Sequence, residues 1–527
     1  MRRSLWGWCL ESEEPTASDR ARRAAQLGEQ FRVDVKPTPL PDLNRIELRA
    51  PRLRPPSALA AFCSTDTWER AYYSYGSHFT DYTNAFNGHY PNPVDVVAHP
   101  GTEADVEAVL DWAAQVNAVV VPYGGGSSVV WGVNPPEADR IITLSLDRLD
   151  QVLEIDSTSR AARIQAGVFG PHLEEQLRPA GFTLRHFPQS FRFSTLGGWI
   201  ATRSGGHYAT NHTHIDDFVE SVRMCTPQGW WESRRLPGSG AGPSPDRMVI
   251  GSEGILGVIT EAWMRVQARP VFRATAGITF DSWAEGSDAV RQIAQAKLWP
   301  ANLRILDPAE AKRAAGLDGG QALLIVSFES AELSQRQAID DAVSIARGAG
   351  GHIDAGDVVV SGEGEATGRG GAVGAWRDAF IGVQIGLDMS LGFLSDTFET
   401  AITWDRWPAF DAAVRERMGK VLADTLGAGS LSCRFTHVYP DGPAPYYSWS
   451  GMGAQGAEIA GWSEIKAAAN EVVIDAGGTI THHHAVGRMH RPGYDRQRPE
   501  LFAQALRAAK QAVDPQGLLN PGVLIDP

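Results

Sequence analysis

Pro122-Tyr-Gly-Gly-Gly-Ser-Ser-Val129 decides how this chain is read. An apolar run, residues 118–121, precedes it and reads as a short buried strand. Three consecutive glycines let the backbone turn tightly and present its N–H groups with no Cβ in the way. A row of such donors forms an anion-binding concavity, typically for a pyrophosphate. The expectation is a cofactor that presses its diphosphate onto bare main chain. A plain Gly-rich turn between strands is the alternative.

The surroundings of the loop support an α+β domain. Residues 94–99 read as a strand, and residues 102–117 carry helical spacing in Val106, Val109, Leu110 and Ala113. Short β segments follow at 140–145, 151–156 and 162–165, then a helix at 168–180 and strands near 218–226 and 257–266. Residues 1–90 are polar and dotted with prolines, which reads as a wrapping region. Beyond residue 268 the pattern is β-α-β-β-α-β, with strands at 274–280, 302–307, 322–329 and 351–354, and this order suggests a ferredoxin-like unit. The Gly-rich run 362–374 is expected to be a mobile loop. A helix near 409–426, β segments from 432 and a helix at 463–476 lead to a histidine cluster.

Composition excludes several classes. At 527 residues the chain is long enough for two or three domains, and 43% hydrophobic with 21% charged residues is ordinary for a globular protein. A formal charge of -14 argues against a nucleic-acid partner, which needs a basic face. Cys9, Cys63, Cys225 and Cys433 show no paired spacing, which fits a reducing, cytoplasmic location and no disulfide framework. No stretch approaches the roughly 20 apolar residues of a transmembrane helix. Sixteen tryptophans suggest large apolar surfaces, one of them facing lipid, so peripheral membrane contact is expected.

Four further segments carry chemistry. Gln189-Ser190, Phe193-Ser194-Thr195 with Gly198, and then Thr202-Arg203-Ser204-Gly205, place small residues where backbone approaches a flat ligand. Gly251-Ser252-Glu253-Gly254-Ile255-Leu256-Gly257 is a second Gly-punctuated loop, or only a β-turn. Tyr446, in a Tyr-Tyr pair, is a proton-transfer candidate or a packing residue. His482-His483-His484 has the residue type of a metal site. Adjacent residues of a strand point to opposite faces, however, so three in a row do not converge on one ion; no metal is expected, and one or two of them face a pocket.

In this order the Gly loop, Ser194-Thr-Leu-Gly-Gly198 and Gly251-Ser-Glu-Gly-Ile-Leu-Gly-Val-Ile-Thr260 resemble the vanillyl-alcohol-oxidase-type FAD flavoproteins. The triplet His482–His484 with Gly487, and Trp6-Gly-Trp8 near the start, narrow the resemblance to the alkyldihydroxyacetonephosphate synthase (alkylglycerone-phosphate synthase) family, in a bacterial form. The resemblance covers residues 6–523. It implies a two-part VAO/PCMH-type FAD-binding domain (91–268), an inserted ferredoxin-like α+β cap (269–430) and a C-terminal segment (431–527) that completes the active site. Pro122, Tyr123, Gly124, Gly125, Gly126, Ser127 and Ser128 would cradle the FAD pyrophosphate, and the three other small-residue segments would line the rest. FAD is expected to be non-covalent, since the loop holds neither His nor Cys.

The implied reaction exchanges the acyl group of acyl-dihydroxyacetone phosphate for a fatty alcohol through a flavin N5 adduct, in ether lipid synthesis. Tyr446 matches the family's proton-transferring tyrosine. His482, His483, His484 and His186 match positions near the flavin, and Arg304 matches a supporting arginine, with a surface salt bridge as its other reading. A homodimer is expected. One departure stands out. Where the family carries a phosphate-binding arginine, ungapped counting puts Ile385. Either Arg377 or Arg488 substitutes, or the substrate is another one, and a flavin dehydrogenase or oxidase of a 2-hydroxy acid or alcohol is the runner-up.

Overall fold

The glycine loop hangs from a small sheet of β1 (Cys63–Ser64), β2 (Val96–Ala98), β3 (Val119–Tyr123) and β4 (Ile141–Ser145), ordered β1-β2-β4-β3. The computed structural model describes residues 2–42, 46–208, 214–317, 320–362, 373–375 and 387–526. β2 and β3 both run parallel to β4. Parallel neighbours need a crossover, and helix Glu103–Val116 supplies it between β2 and β3. Thr102 caps that helix through a reciprocal box with Asp105, and Asn117 ends it in the left-handed conformation. Its buried face is Val106, Val109, Leu110, Trp112 and Ala113, which contains the four residues picked out by spacing.

A second, antiparallel sheet joins β5 (Val152–Asp156), β6 (Ala161–Gln165), β8 (Val219–Thr226), β9 (Gly229–Glu232) and β10 (Val258–Arg265) in the order β5-β6-β10-β8-β9. A two-stranded ribbon pairs β7 (Phe182–Thr183) with β11 (Gln267–Ala268). One apolar core unites the first two sheets, and Val486, Leu506, Leu519 and Ile525 enter it from the far end of the chain. The main chain also returns: Val120 donates to the Leu518 carbonyl and accepts from Asn520, both at 2.9 Å. This half of the molecule is therefore closed by residues almost 400 positions downstream.

The third sheet has seven strands: β12 (Phe272–Phe280), β13 (Asn302–Leu306), β14 (Ala322–Ser330), β15 (Val358–Ser361), β16 (Phe393–Glu399), β17 (Gly429–Val438) and β18 (Pro443–Met452). Their order is β15-β12-β14-β13-β17-β18-β16, antiparallel throughout. The first four reproduce the ferredoxin-like arrangement expected from the β-α-β-β-α-β pattern. Helices Trp283–Gln295, Arg336–Gly348, Trp407–Leu426 and Glu458–Asp475 supply apolar faces to the core of this sheet.

One strand sits later than the pattern predicts. Residues 351–354 contribute a single bridge, His352 to Thr279, and the paired strand is the β-branched run Val358-Val-Val-Ser361. Gly350 turns with φ 95, and β-branched residues suit a pleated surface better than the Gly-rich stretch before them. Ile385, Arg377 and most of the Gly-rich run 362–374 lie outside the described residues.

Candidate active site

A cavity of about 690 Å³ opens between the glycine loop and one face of the third sheet. Gly124, Gly125, Gly126, Ser127 and Ser128 form one wall, joined by Gln189, Ser190, Ser194, Thr195, Gly198, Thr202, Ser204 and Gly205. Arg304, Arg434, His437, Tyr446, His483 and His484 form the opposite wall.

The loop is built to offer donors. Its carbonyls are already used: Gly125 O accepts from Arg3 at 2.6 Å, Gly126 O from Ser77 Oγ at 2.7 Å, and Ser128 O from Ser77 N at 2.7 Å. The amides of Gly125, Gly126, Ser127 and Ser128 meet no acceptor among the described residues. Main-chain N–H groups rarely go unpaired unless water or a ligand takes them. The glycines allow the loop to lie against the next segment. A Cβ on Gly124 would stand 2.3 Å from Thr195 Oγ1, and one on Gly125 would stand 2.0 Å from the Phe193 carbonyl. Thr195 Oγ1 is buried and unpartnered at the start of helix Leu196–Thr202. This wall fits a dinucleotide: free amides for a pyrophosphate, and an orphaned hydroxyl and small residues for the rest.

Other predicted residues stand behind that wall. Pro122 packs on Gly254, and Tyr123 donates to the Tyr75 carbonyl at 3.0 Å. Phe193 stacks under the Arg3 guanidinium, 4.3 Å from the ring centre. Arg203 turns outward to Asp216. His186 is buried one layer back, its Nε2 2.8 Å from Ser204 Oγ, and burial lowers its pKa to about 3. The structure does not bring Gly251–Gly257 to the cavity. The Gly251 and Glu253 amides donate to Ile200 and Ala201 carbonyls, pinning the end of the helix. Glu253 then accepts from the Val486 and Gly487 amides at 2.9 and 2.8 Å, and Ser252, Ile255 and Leu256 are buried beside it. A Cβ on Gly257 would stand 2.5 Å from Met224 Cγ. This loop clasps the chain's end just after the histidine triplet.

The opposite wall follows from strand register. Tyr446 in β18 stands between Glu399 of β16 and Arg434 of β17, each its direct cross-strand partner. The Arg434 guanidinium lies 4.2 Å from the Tyr446 ring centre. Burial raises the phenol pKa, and Arg434 and Thr397 oppose that rise. Arg434 donates to Glu310 at 2.8 Å, and Glu310 also takes Arg313. Burial alone would push the Glu310 carboxyl up; the two arginines reverse this and hold it at about 2. Arg304 is buried, donates to Asn302 Oδ1 at 3.0 Å and the His207 carbonyl at 3.1 Å, and falls to about 9 through burial and then Arg434. Its surface-salt-bridge reading is excluded by that burial. Arg488 is no substitute clamp: it lies away from the cavity, donating to Trp131, Asn520 and Pro521.

Residues 480–484 are not a strand but successive bends, so the strand alternation used to argue against convergence does not apply. Glu399 gathers them, accepting from the amides of His482, His483 and His484 at 2.6, 3.2 and 3.0 Å and from Thr481 Oγ1 at 2.5 Å. Burial would raise that carboxyl; His483, and after it His484 and His482, reverse the effect and hold it well below the usual range. His483 and His484 rings lie 5.9 and 5.4 Å from Tyr446. His482 points elsewhere: Nε2 meets Tyr439 Oη at 2.7 Å, and Tyr439 also meets His214 at 3.0 Å.

Arg434, His437, Glu399 and Glu310 escaped the sequence reading. The turn at Pro440-Asp441-Gly442 marks a hairpin, but plain counting outward from the paired Val438 and Pro443 sets Phe435 opposite Tyr446; a bulge between Phe435 and His437 shifts the register by one and brings Arg434 there instead.

Residues 94–233 match the FAD binding domain family model, and residues 269–524 match the FAD linked oxidases, C-terminal domain model. With the geometry above, these make the chain an FAD-dependent enzyme of the VAO/PCMH fold. The fold also superimposes on p-cresol methylhydroxylase, with a TM-score of 0.67 at 14% identity over 88% of this chain and 94% of that one. Within that class the chain is a homologue of the alkyldihydroxyacetonephosphate synthases. It is 29% identical to the one from Dictyostelium discoideum over 476 residues, 87% of this chain and 78% of that protein. It is likewise 29% identical to the Caenorhabditis elegans protein of that name, over 86% of this chain and 79% of the other. A solved alkyldihydroxyacetonephosphate synthase superimposes with a TM-score of 0.75 at 25% identity, covering 92% of this chain and 88% of that one. Glycolate oxidase subunit GlcD from Bacillus subtilis is more distant, at 25% over 82% of this chain and 89% of the other.

Proposed function

We propose that this chain exchanges the acyl group of acyl-dihydroxyacetone phosphate for a fatty alcohol, forming an ether bond with no net redox change. The observation that carries the reading is the register Glu399–Tyr446–Arg434 across the cavity floor, facing the free amides of the glycine loop. Gly125 through Ser128 would hold the FAD pyrophosphate, and Gln189, Ser190, Ser194, Thr195, Gly198, Thr202, Ser204 and Gly205 the remainder. When bound in its reduced form, FAD supplies the nucleophilic ring chemistry of the exchange.

The chain's own residues do the rest. Tyr446 moves the proton at the carbon next to the exchanged oxygen. A phenol normally ionises near pH 10, and only neighbouring positive charge brings it into range. Arg434 over its ring supplies that charge. Arg304, Arg434 and Arg313 on the same wall receive the phosphate dianion. His484, lowered to about 3 by burial, is a neutral imidazole packed edge-on against the phenol and positions it without adding charge. Trp8, Phe79, Tyr82, Met389, Phe393 and Trp449 give the cavity an apolar side for the alkyl tail. Among the described residues no helix is long and apolar enough to cross a membrane. Leu501 and Phe502, both exposed on helix Glu500–Val513, support a peripheral contact with the lipid that delivers the substrate.

The test is incorporation of labelled fatty alcohol into acyl-dihydroxyacetone phosphate by the FAD-loaded protein with no electron acceptor present. Exchange supports the reading. Absence of exchange, together with anaerobic bleaching of the flavin by a 2-hydroxy acid, would replace it with a dehydrogenase.

A further inference from the structure

The histidines beside the cavity fall into two groups. His484 turns toward Tyr446. His437, His482 and His483 turn toward one another: one ring nitrogen from each lies within 4.8 Å of the other two. Nδ1 of His482 and Nδ1 of His483 are 3.1 Å apart. Ligands of a tetrahedral ion with bonds of roughly 2.0–2.1 Å are spaced by about 3.3 Å, so this pair already stands at coordination spacing.

His437 is the second, independent observation. It projects from β17 and is buried to 3% exposure, yet both its Nδ1 and its Nε2 lack any hydrogen-bond partner. A neutral imidazole carries one donor and one acceptor, and a buried side chain with both unmet needs an explanation. Its ring centre stands 4.9 Å from those of His482 and His483. The support behind the ligands has the form that metal-binding histidines use. Tyr439 holds His482 by Nε2, which leaves Nδ1 to face His483 Nδ1. Glu399 fixes the backbone of both His482 and His483, and its carboxylate, 3.4 Å from His483 Nδ1, adds negative charge beside the trio.

We propose that His437, His482 and His483 form a binding site for one divalent d-block cation of the zinc class, with its fourth position open to the cavity. Three imidazoles with an open position is the pattern of a zinc that engages a substrate oxygen rather than a purely structural one. His437 and His483 both line the cavity, so the open position faces the space where an anionic substrate group sits. The site stands on its own geometry and does not depend on which reaction the flavin serves.

The test uses the FAD-loaded full chain, dialysed against chelator and then titrated with Zn²⁺ by calorimetry and with Co²⁺ by visible absorption. One equivalent per chain is expected, with the intense long-wavelength bands of four-coordinate Co²⁺. His437→Ala should weaken binding by more than ~100-fold, beyond what loss of a supporting group costs. His437→Gln, which keeps size and polarity, should do the same and serves where the alanine variant fails to fold. His484→Ala should keep the full equivalent, because His484 lies outside the trio. Wild-type protein that takes up neither ion overturns the proposal. So does binding that survives both His437 substitutions.

Discussion

Gly125→Ala is the sharpest probe of the glycine loop. A Cβ at this position would stand 2.0 Å from the Phe193 carbonyl oxygen and 2.8 Å from Ser194 Cα. Cβ atoms essentially never approach closer than 3.0 Å, so the overlap is about 1 Å and falls on backbone. Backbone cannot rotate away as a side-chain tip can, so the loop itself must shift. Its other face is held by Arg3 and Ser77, which leaves movement toward the cavity. Displacing two of the four unpaired amides forfeits two charge-assisted hydrogen bonds, each worth ~1.5–3 kcal/mol. Together that is ~3–6 kcal/mol, or roughly 10²–10⁴-fold in Kd for FAD. The assay is flavin fluorescence quenching on titrating apoprotein with FAD, beside the flavin content of the purified variant. Gly238→Ala is the control, since a Cβ there meets nothing within 4 Å. Full flavin content and an unchanged Kd in Gly125→Ala would refute the claim that these amides hold the diphosphate.

Four further outcomes follow from the site. Tyr446→Phe should lower kcat for exchange by ~10²–10⁴-fold with flavin content unchanged; a fully active variant removes the phenol from the chemistry. Arg434→Met should raise KM for the phosphate substrate by ~10–100-fold, the loss of one charge-assisted contact, and an unchanged KM would assign the phosphate elsewhere. Glu253 is buried with its carboxyl pushed up from 4.5 to about 7. A raised acid stabilises the fold fully below its unfolded pKa and loses that contribution as pH climbs through the folded one, here about 3 kcal/mol between roughly pH 4.5 and 7. Glu253→Gln should flatten the decline of Tm over that interval, and an unaltered slope would contradict the assignment. Glu399→Gln removes the charge that gathers the histidine segment. It should lower Tm by on the order of 5 °C and abolish exchange, while a Tm within about 1 °C of the parent would show that the carboxylate holds nothing.

The flavin half was legible because its signals are local. A strand, a capped helix and a second strand ending in three glycines are readable from period, cap and turn chemistry within 30 residues. The ferredoxin-like order of the cap was readable for the same reason. Gly251–Gly257 has the same local character but a different position: its glycines serve close packing on Pro122 and Met224, and composition cannot tell a backbone pressed on a ligand from one pressed on protein.

Sequence alone determined the flavin-binding class, and it put forward the glycine cradle from residue types within a short window and Tyr446 and the histidine triplet through the family resemblance. Tertiary structure alone decided which charges surround the phenol and which histidines face each other. Glu399, Arg434 and Tyr446 meet because three strands pair in one register. His437 meets His482 and His483 because a buried carboxylate bends residues 480–484 out of any strand. Such meetings depend on hydrogen-bond registry between residues 12 to 85 positions apart, and a one-residue slip of a strand would turn its side chains to the other face of the sheet.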